Sequence, residues 1–278
     1  MSKLVSVIIP TYNRSNVLTR AISSVQGQSY KHFEIIVVDD GSTDDTHEQL
    51  LPLIESGKIK YFAYENQGVS AARNAGVENS VGELIAFLDS DDEWLPHKLQ
   101  EQIDYFSANP HIKIVYGEEL WFRKGKRVNQ KLIHKKSGGW IFEACVAQCL
   151  IAPSSVMLER ELFLQMEGFD ESFQVCEDYD LWLKISSLLE IGFIENPVII
   201  KHGGHDDQLS AKYPAMDFWR LKSMHWILKT RNLSHSHKLI VIESMKRRGE
   251  ILMNGYRKYG NASACQKVEE MLNELDNL

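Results

Sequence analysis

Glu34-Ile-Ile-Val-Val-Asp-Asp-Gly-Ser-Thr-Asp44 and Leu84-Ile-Ala-Phe-Leu-Asp-Ser-Asp-Asp92 decide how this chain is read. Each is an apolar run of β type that ends directly in a cluster of aspartates. In an open parallel sheet the C-terminal edges of the strands form the crevice where ligands bind. Carboxylates gathered at one such edge repel each other unless something neutralises them. A divalent cation, bound through one or two carboxylates plus substrate phosphates, is the usual resolution. The two clusters therefore read as a site for a metal-bound nucleotide diphosphate, and hence as part of an enzyme.

Outward from these strands, strand and helix patterns alternate. Val5–Ile9 reads as a buried strand, broken by Pro10 and followed by Thr11-Tyr12-Asn13. Val17, Leu18, Ala21, Ile22 and Val25 recur at helical spacing and predict a helix over 15–28. Thr43 or Asp44 caps a second helix through Glu55. Residues 59–64 predict a third strand, 68–79 a short alanine-rich helix, and Pro96 opens a helix with Leu99, Ile103 and Phe106 facing in. Strands separated by helices imply right-handed crossovers and a mainly parallel sheet with helices on both faces. After residue 110 come strands over 112–116, 153–158 and 192–200, a polar hairpin or loop over 123–139, and helices over 160–166 and 178–189. Only helical patterns remain beyond Pro214.

The length of 278 residues suits one large α/β domain with an appendage. A net charge of −7 argues against a general nucleic-acid binder. Residues 212–258 hold eleven Lys/Arg against Asp217, Glu243 and Glu250, a net of +8, while the rest of the chain carries −15. Cys145, Cys149, Cys176 and Cys265 contain no CxxC pair; the first two are spaced for one helix face and read as buried free thiols. No signal peptide opens the sequence, and no apolar run approaches the roughly 20 residues that span a bilayer. A cytoplasmic location is the expectation.

Four segments carry candidate chemistry. Asp39-Asp40 reads either as a polar strand-to-helix turn or as a carboxylate that accepts a nucleobase imide N–H. Asp89 and Asp91 leave their strand at alternate positions, so they face one ligand if the chain stays extended. Asp178, beside Asp180 in Cys176-Glu-Asp-Tyr-Asp-Leu-Trp182, is either a helix cap or a general base open to an incoming hydroxyl. Trp182 is a sugar platform or a core filler. In Lys201-His-Gly-Gly-His-Asp-Asp-Gln-Leu-Ser210, the glycines suggest a loop that closes over a ligand. His202 and His205 are candidates for metal ligation, for phosphate donation or for plain solvation. There is no G-x-G-x-x-G, no P-loop and no G-x-S-x-G elbow.

In this order, the residues resemble the family 2 glycosyltransferases of the GT-A fold. The matching pieces are Ser6-Val-Ile-Ile-Pro-Thr-Tyr-Asn13, Val37-Val-Asp-Asp-Gly-Ser-Thr-Asp44, Asn66-Gln-Gly-Val-Ser-Ala-Ala-Arg-Asn-Ala-Gly76, Ala86-Phe-Leu-Asp-Ser-Asp-Asp92, and Gly168-Phe-Asp170 with Glu177-Asp178. The resemblance implies an inverting, non-processive transfer from a nucleoside-diphosphate sugar, UDP-linked, to a saccharide or lipid-linked saccharide in bacterial surface polysaccharide or glycolipid assembly. It implies that Pro10 and Tyr12 pack on the base, Asp40 binds its imide, and Arg73 and Asp89 line the donor site. Asp91 would hold Mn²⁺ or Mg²⁺ and Asp178 would be the base; His202, on its own chemistry, is the candidate second metal ligand. Residues 1–210 would form the transferase domain, with 1–110 binding the donor and 111–210 the acceptor. The Gln-x-x-Arg-Trp motif of processive synthases is absent. The alternatives are a sugar-phosphate nucleotidyltransferase, which would want a basic glycine-rich loop near the N-terminus, and an inactive nucleotide-sugar-binding module.

The helical extension, 211–278, matches no motif. Phe218, Leu221, Met224, His225 and Leu228 form an apolar stripe, and Lys246-Arg-Arg248 lies on the next helix. This basic pair of helices, over 215–258, reads either as a peripheral membrane contact at the inner face or as packing on the catalytic domain or a second subunit in a homo-oligomer.

Overall fold

The computed structural model describes residues 3–130, 134–204 and 215–277. The expected loop from His205 to Ser210 and the expected boundary after residue 210 lie outside them. The strands are β1 (Val5–Thr11), β2 (Phe33–Asp39), β3 (Lys60–Ala63), β4 (Leu84–Phe87), β5 (Glu93–Trp94), β6 (Ile114–Arg123), β7 (Lys126–Val128), β8 (Met157–Glu159) and β9 (Gly192–Gly203). Among the described residues they form one sheet in the order β3-β2-β1-β4-β8-β6-β9-β5, with β7 on β6. Pairing is parallel through β3-β2-β1-β4 and again at β6-β9, whereas β8, β5 and β7 enter antiparallel. The architecture is α/β, with a parallel first half and a mixed second half.

The helices are α1 (Ser15–Gln26), α2 (Thr46–Glu55), α3 (Val69–Glu78), α4 (Lys98–Ala108), α5 (Phe142–Ala147), α6 (Arg160–Gln165), α7 (Glu177–Ser186), α8 (Asp217–Thr230), α9 (His235–Lys258) and α10 (Ala262–Asn273). The period of 2 in β1 divides them between the faces. Val5, Val7 and Ile9 pack with Leu18, Ile22, Leu50 and Leu99 of α1, α2 and α4 on one side. On the other, Ile8 packs in a core that takes in Ala72 of α3, Trp182 of α7 and Leu221 of α8. Each large apolar side chain removed from water here contributes roughly 1.5–3 kcal/mol. Gly76 is required where α3 crosses β1, because an added Cβ would stand 2.3 Å from Ile8 Cγ2.

One expectation needs correction here, and two alternatives left open by the sequence are decided. Helix α5 stops at Ala147 and Gln148 is extended, so Cys149 does not share a helix face with Cys145. Trp182 is 1 % exposed and meets Phe169 edge-on, filling the core rather than facing a ligand. The stripe on α8 also turns inward: Leu221, Met224 and Leu228 are buried, Phe218 packs against the same core, and His225 Nε2 donates to Glu274 Oε2 at 3.0 Å. Much of the extension's positive charge is paired internally. Arg220 and Arg248 both reach Asp217, Arg248 also donates to the Ala147 carbonyl, and Lys229 pairs with Glu274. Among the described residues no helix is long and apolar enough to cross a membrane.

Candidate active site

Parallel pairing puts the ends of β1, β2 and β4 side by side, with Thr11 opposite Asp39. Asn13 turns the chain after β1 in a left-handed conformation, φ 52°, which its short polar side chain tolerates. Its N–H donates to Ser42 Oγ, and its Oδ1 accepts from the Thr43 N–H at 2.7 Å. Tyr12, held on this turn, is 47 % exposed, whereas Pro10 is buried.

The two aspartates after β2 divide their work. Asp39 accepts from Tyr61 Oη at 2.6 Å and from the Ser42 N–H, which fixes the turn. Asp40 accepts the N–H groups of Gln67 and Gly68, at 2.8 and 2.9 Å, where α3 begins. Burial raises the Asp40 pKa, and these two donors offset that only in part. Each carboxylate oxygen keeps a further lone-pair direction for a ligand.

After β4 the chain does not stay extended. The Asp92 N–H donates to the Asp89 carbonyl, closing a turn, so Asp89, Asp91 and Asp92 occupy three different environments. Asp89 Oδ1 accepts from Arg73 Nη2 at 2.7 Å. Asp91 keeps a partly exposed carboxylate whose Oδ2 is 4.0 Å from Arg14 Nη2, and its carbonyl accepts from Arg20. Asp92 is buried beneath Ser154 Oγ at 2.6 Å. Burial pushes its pKa up to about 8, Lys201 opposes the rise, and the charges of Asp89 and Asp91 add to it.

Arg73 binds the two halves together. Its guanidinium, on α3, donates to Asp89 and also to Glu177 Oε1 at 2.6 Å, and lies over the Phe169 ring. It is 4 % exposed, so it braces these carboxylates rather than opening toward a donor. Burial works against its charge, but Asp89 and Glu177 outweigh that and raise its pKa. The next residue, Asn74, brackets Phe169 by donating to its carbonyl and accepting its N–H. This explains why the Gly168-Phe-Asp170 segment accompanies the α3 motif.

Cys176, left-handed at φ 64°, starts α7 and sets Glu177 and Asp178 on its first turn. Asp178 is half-buried; Oδ1 accepts the Tyr179 N–H, and Oδ2 accepts from Cys149 Sγ at 3.2 Å. Burial and the neighbouring Asp178 charge push the Cys149 thiol well above its ordinary value. The neighbouring Asp180 is 1 % exposed and paired with Lys184 at 2.6 Å, which removes it from the site. Asp178 and Cys149 line a cavity of about 200 Å³ with Glu119, Trp121, Lys136 and Lys201. Of these only Lys201 stood in a segment singled out by sequence. Its charge is felt by Glu119, Asp92, Asp89 and Asp178 together, and these outweigh burial to raise its pKa.

His202, expected beside Asp91 on a metal, instead meets Glu93 Oε2 at 3.3 Å. Strand β9 carries it next to β5, and its ring faces Phe122. Among the described residues no three His, Cys, Asp or Glu side chains converge to hold a cation by themselves. What the β4 turn offers is a set of hard oxygen donors in a crowded acidic corner. That fits Mg²⁺ or Mn²⁺ held by one or two carboxylates, with phosphates and water completing the shell.

The sequence model of "Glycosyl transferase family 2" matches residues 6–157. The chain belongs to glycosyl transferase family 2. Proteins named as glycosyltransferases resemble it over about two thirds of its length. An uncharacterized glycosyltransferase of Rickettsia conorii is 40 % identical over 191 residues, covering 69 % of this chain but 31 % of that protein. This family 2 chain thus spans about a third of the length of the first Rickettsia relatives it matches. The Escherichia coli UDP-Glc:alpha-D-GlcNAc-diphosphoundecaprenol beta-1,3-glucosyltransferase WfgD is 34 % identical over 197 residues, 69 % of this chain and 75 % of that one. The fold is also that of S. aureus TarS 1-349 in complex with UDP-GlcNAc, at TM-score 0.77 and 20 % identity, over 98 % of this chain and 80 % of that one.

Proposed function

We propose that this family 2 member is an inverting glycosyltransferase that uses a UDP-linked sugar and a divalent cation. The acceptor is the hydroxyl of a saccharide or lipid-linked saccharide in bacterial surface polysaccharide or glycolipid assembly. Family membership supports the reaction class, and the names of WfgD and the TarS complex support the donor and the lipid-linked acceptor. The observation that carries the reading is the Arg73 bridge, which ties the carboxylate turn after β4 to the α7 turn that bears Asp178.

In this reading, the exposed Tyr12 ring packs on the base above the buried Pro10, and Asp40 accepts its imide N–H. Asp89 faces the ribose while Arg73 holds its other oxygen. Asp91 would hold the cation, whose charge would neutralise the leaving diphosphate. Asp178 accepts the acceptor's proton as the hydroxyl oxygen attacks the anomeric carbon from the face opposite the diphosphate. The new C–O bond forms as the bond to the diphosphate breaks, through an oxocarbenium-like transition state. The Cys149 thiol holds the Asp178 carboxylate in one orientation. Peripheral membrane contact, in this proposal, falls to the exposed Lys246, Arg247, Arg257 and Lys258 of α9.

The test is turnover of UDP-glucose, UDP-N-acetylglucosamine and GDP-mannose with a bacterial lipid extract, with Mn²⁺ or with EDTA, and assignment of the product anomer by NMR. Transfer with inverted configuration that stops in EDTA is expected. No transfer from any donor, or a retained configuration, overturns the proposal.

A further inference from the structure

The cavity beside Asp178 has a composition that specifies what it accepts. The register of β6 against β9 shifts on either side of Glu118, an irregularity of the kind that re-aims side chains near active sites. Beyond it Glu119 and Trp121 stand two residues apart on one strand face, and Lys201 pairs with Trp121 across the ladder. Trp121 Nε1 donates to Glu119 Oε2 at 2.7 Å, which fixes the plane of the indole. The ring is half-buried and packs against His134 at 5.2 Å, leaving part of its surface to the cavity. Leu150, Ile151 and Ala152 supply the apolar wall. Nothing from the ends of β1, β2 or β4 lines this space.

We infer that this cavity is the acceptor subsite, and that it takes one uncharged pyranose ring stacked on Trp121. The inference rests on the glycosyl-transfer reading and deepens it. At about 200 Å³ the cavity is smaller than the roughly 300–1,000 Å³ of drug-sized pockets, so it holds a single ring. The negative π face of an indole attracts the polarised C–H bonds on one side of a sugar. Besides His134, the charged groups on the lining are Glu119 and Asp178 against Lys136 and Lys201, two of each sign. Lys136 is already joined to Glu119. Among the described residues, Lys201 faces the charges of Glu119, Asp92, Asp89 and Asp178, so a phosphate or carboxylate on the acceptor ring would compete with carboxylates already there, whereas neutral hydroxyls find both donors and acceptors.

The experiment uses the full chain with UDP-glucose, or whichever UDP-sugar it turns over, and two acceptor probes: octyl α-D-N-acetylglucosaminide and octyl β-D-glucuronide. Donor affinity is measured separately by calorimetry, so a chain that binds no nucleotide sugar sinks the underlying reading as well as this one. Wild type should use the neutral probe and bind the glucuronide at least tenfold more weakly. Trp121→Leu should raise the KM for the neutral acceptor roughly 5- to 10-fold while the donor KM stays put, and Trp121→Phe should restore most of the loss. Preference for the anionic probe, an unchanged acceptor KM in Trp121→Leu, or a donor KM that moves instead of the acceptor KM each overturns the assignment.

Discussion

Arg73 Nη1 meets Glu177 Oε1 at 2.6 Å across 104 positions of sequence, and the same guanidinium holds Asp89. One buried cation thus locks the strand that ends in the aspartate turn to the helix whose first turn bears Asp178. Arg73→Ala takes the hydrogen-bonded cation away from two carboxylates. A loss of about 3–5 kcal/mol in denaturant unfolding is expected. Arg73→Lys should recover part of it, since an ammonium cannot fork to both partners. An unchanged unfolding midpoint in Arg73→Ala would show that the bridge holds nothing.

Asp178→Asn keeps the shape of the side chain and removes its ability to take a proton. Transfer should fall roughly 10²–10⁴-fold, with UDP-sugar binding intact by calorimetry. Asp180→Asn, in contrast, disturbs a buried pair with Lys184 and should lower Tm. Near-normal turnover by Asp178→Asn would take the proton-accepting role away from it.

Asp91→Ala should abolish the part of UDP affinity that depends on Mn²⁺, and leave uridine binding as it was. Asp40→Ala should weaken uridine and UDP alike, because its partner is the base. Titration of both ligands into both variants, with Mn²⁺ and with EDTA, separates the roles. UDP affinity that is the same in EDTA counts against a cation at Asp91.

A pH effect follows from Asp217, which links α8 to α9. Burial pushes its pKa up, but the hydrogen bond from Arg220 and the charge of Arg248 pull it lower still, so the net shift is downward. The stability it contributes is therefore complete above the unfolded carboxylate value of about 3.9 and disappears as pH falls through the folded value. Asp217→Asn should lower Tm at pH 7, and the gap to wild type should close in strongly acidic buffer. A gap that persists there would assign the effect to packing instead of charge.

The exposed basic residues of α9 make a membrane prediction. Co-sedimentation with vesicles should rise with anionic lipid, fall with added salt, and vanish in Lys246→Glu/Arg247→Glu. Binding that ignores lipid charge, or that survives the reversal, leaves these helices with packing alone.

The sequence by itself determined what is local and periodic. The apolar run Val5–Ile9, the helical stripe from Val17 to Val25 and the aspartates ending two apolar runs each depend on near neighbours. They were enough for the α/β class, and the five motif pieces in their order carried the resemblance to the family. Tertiary structure alone decided which side chains meet across long separations. The partners of Arg73 lie 16 and 104 positions away, and no spacing rule reports that. Asp89 and Asp91 were expected to follow an extended strand, but a backbone hydrogen bond from Asp92 turns the chain there, and Asp89 meets Arg73 while Asp91 faces Arg14. His202 was assigned by its chemistry, yet the pairing of β9 with β5 delivers it to Glu93. Glu119, Trp121 and Lys136 carried no motif, because a cavity wall is assembled by sheet order and strand register, and both are settled by packing of the whole chain.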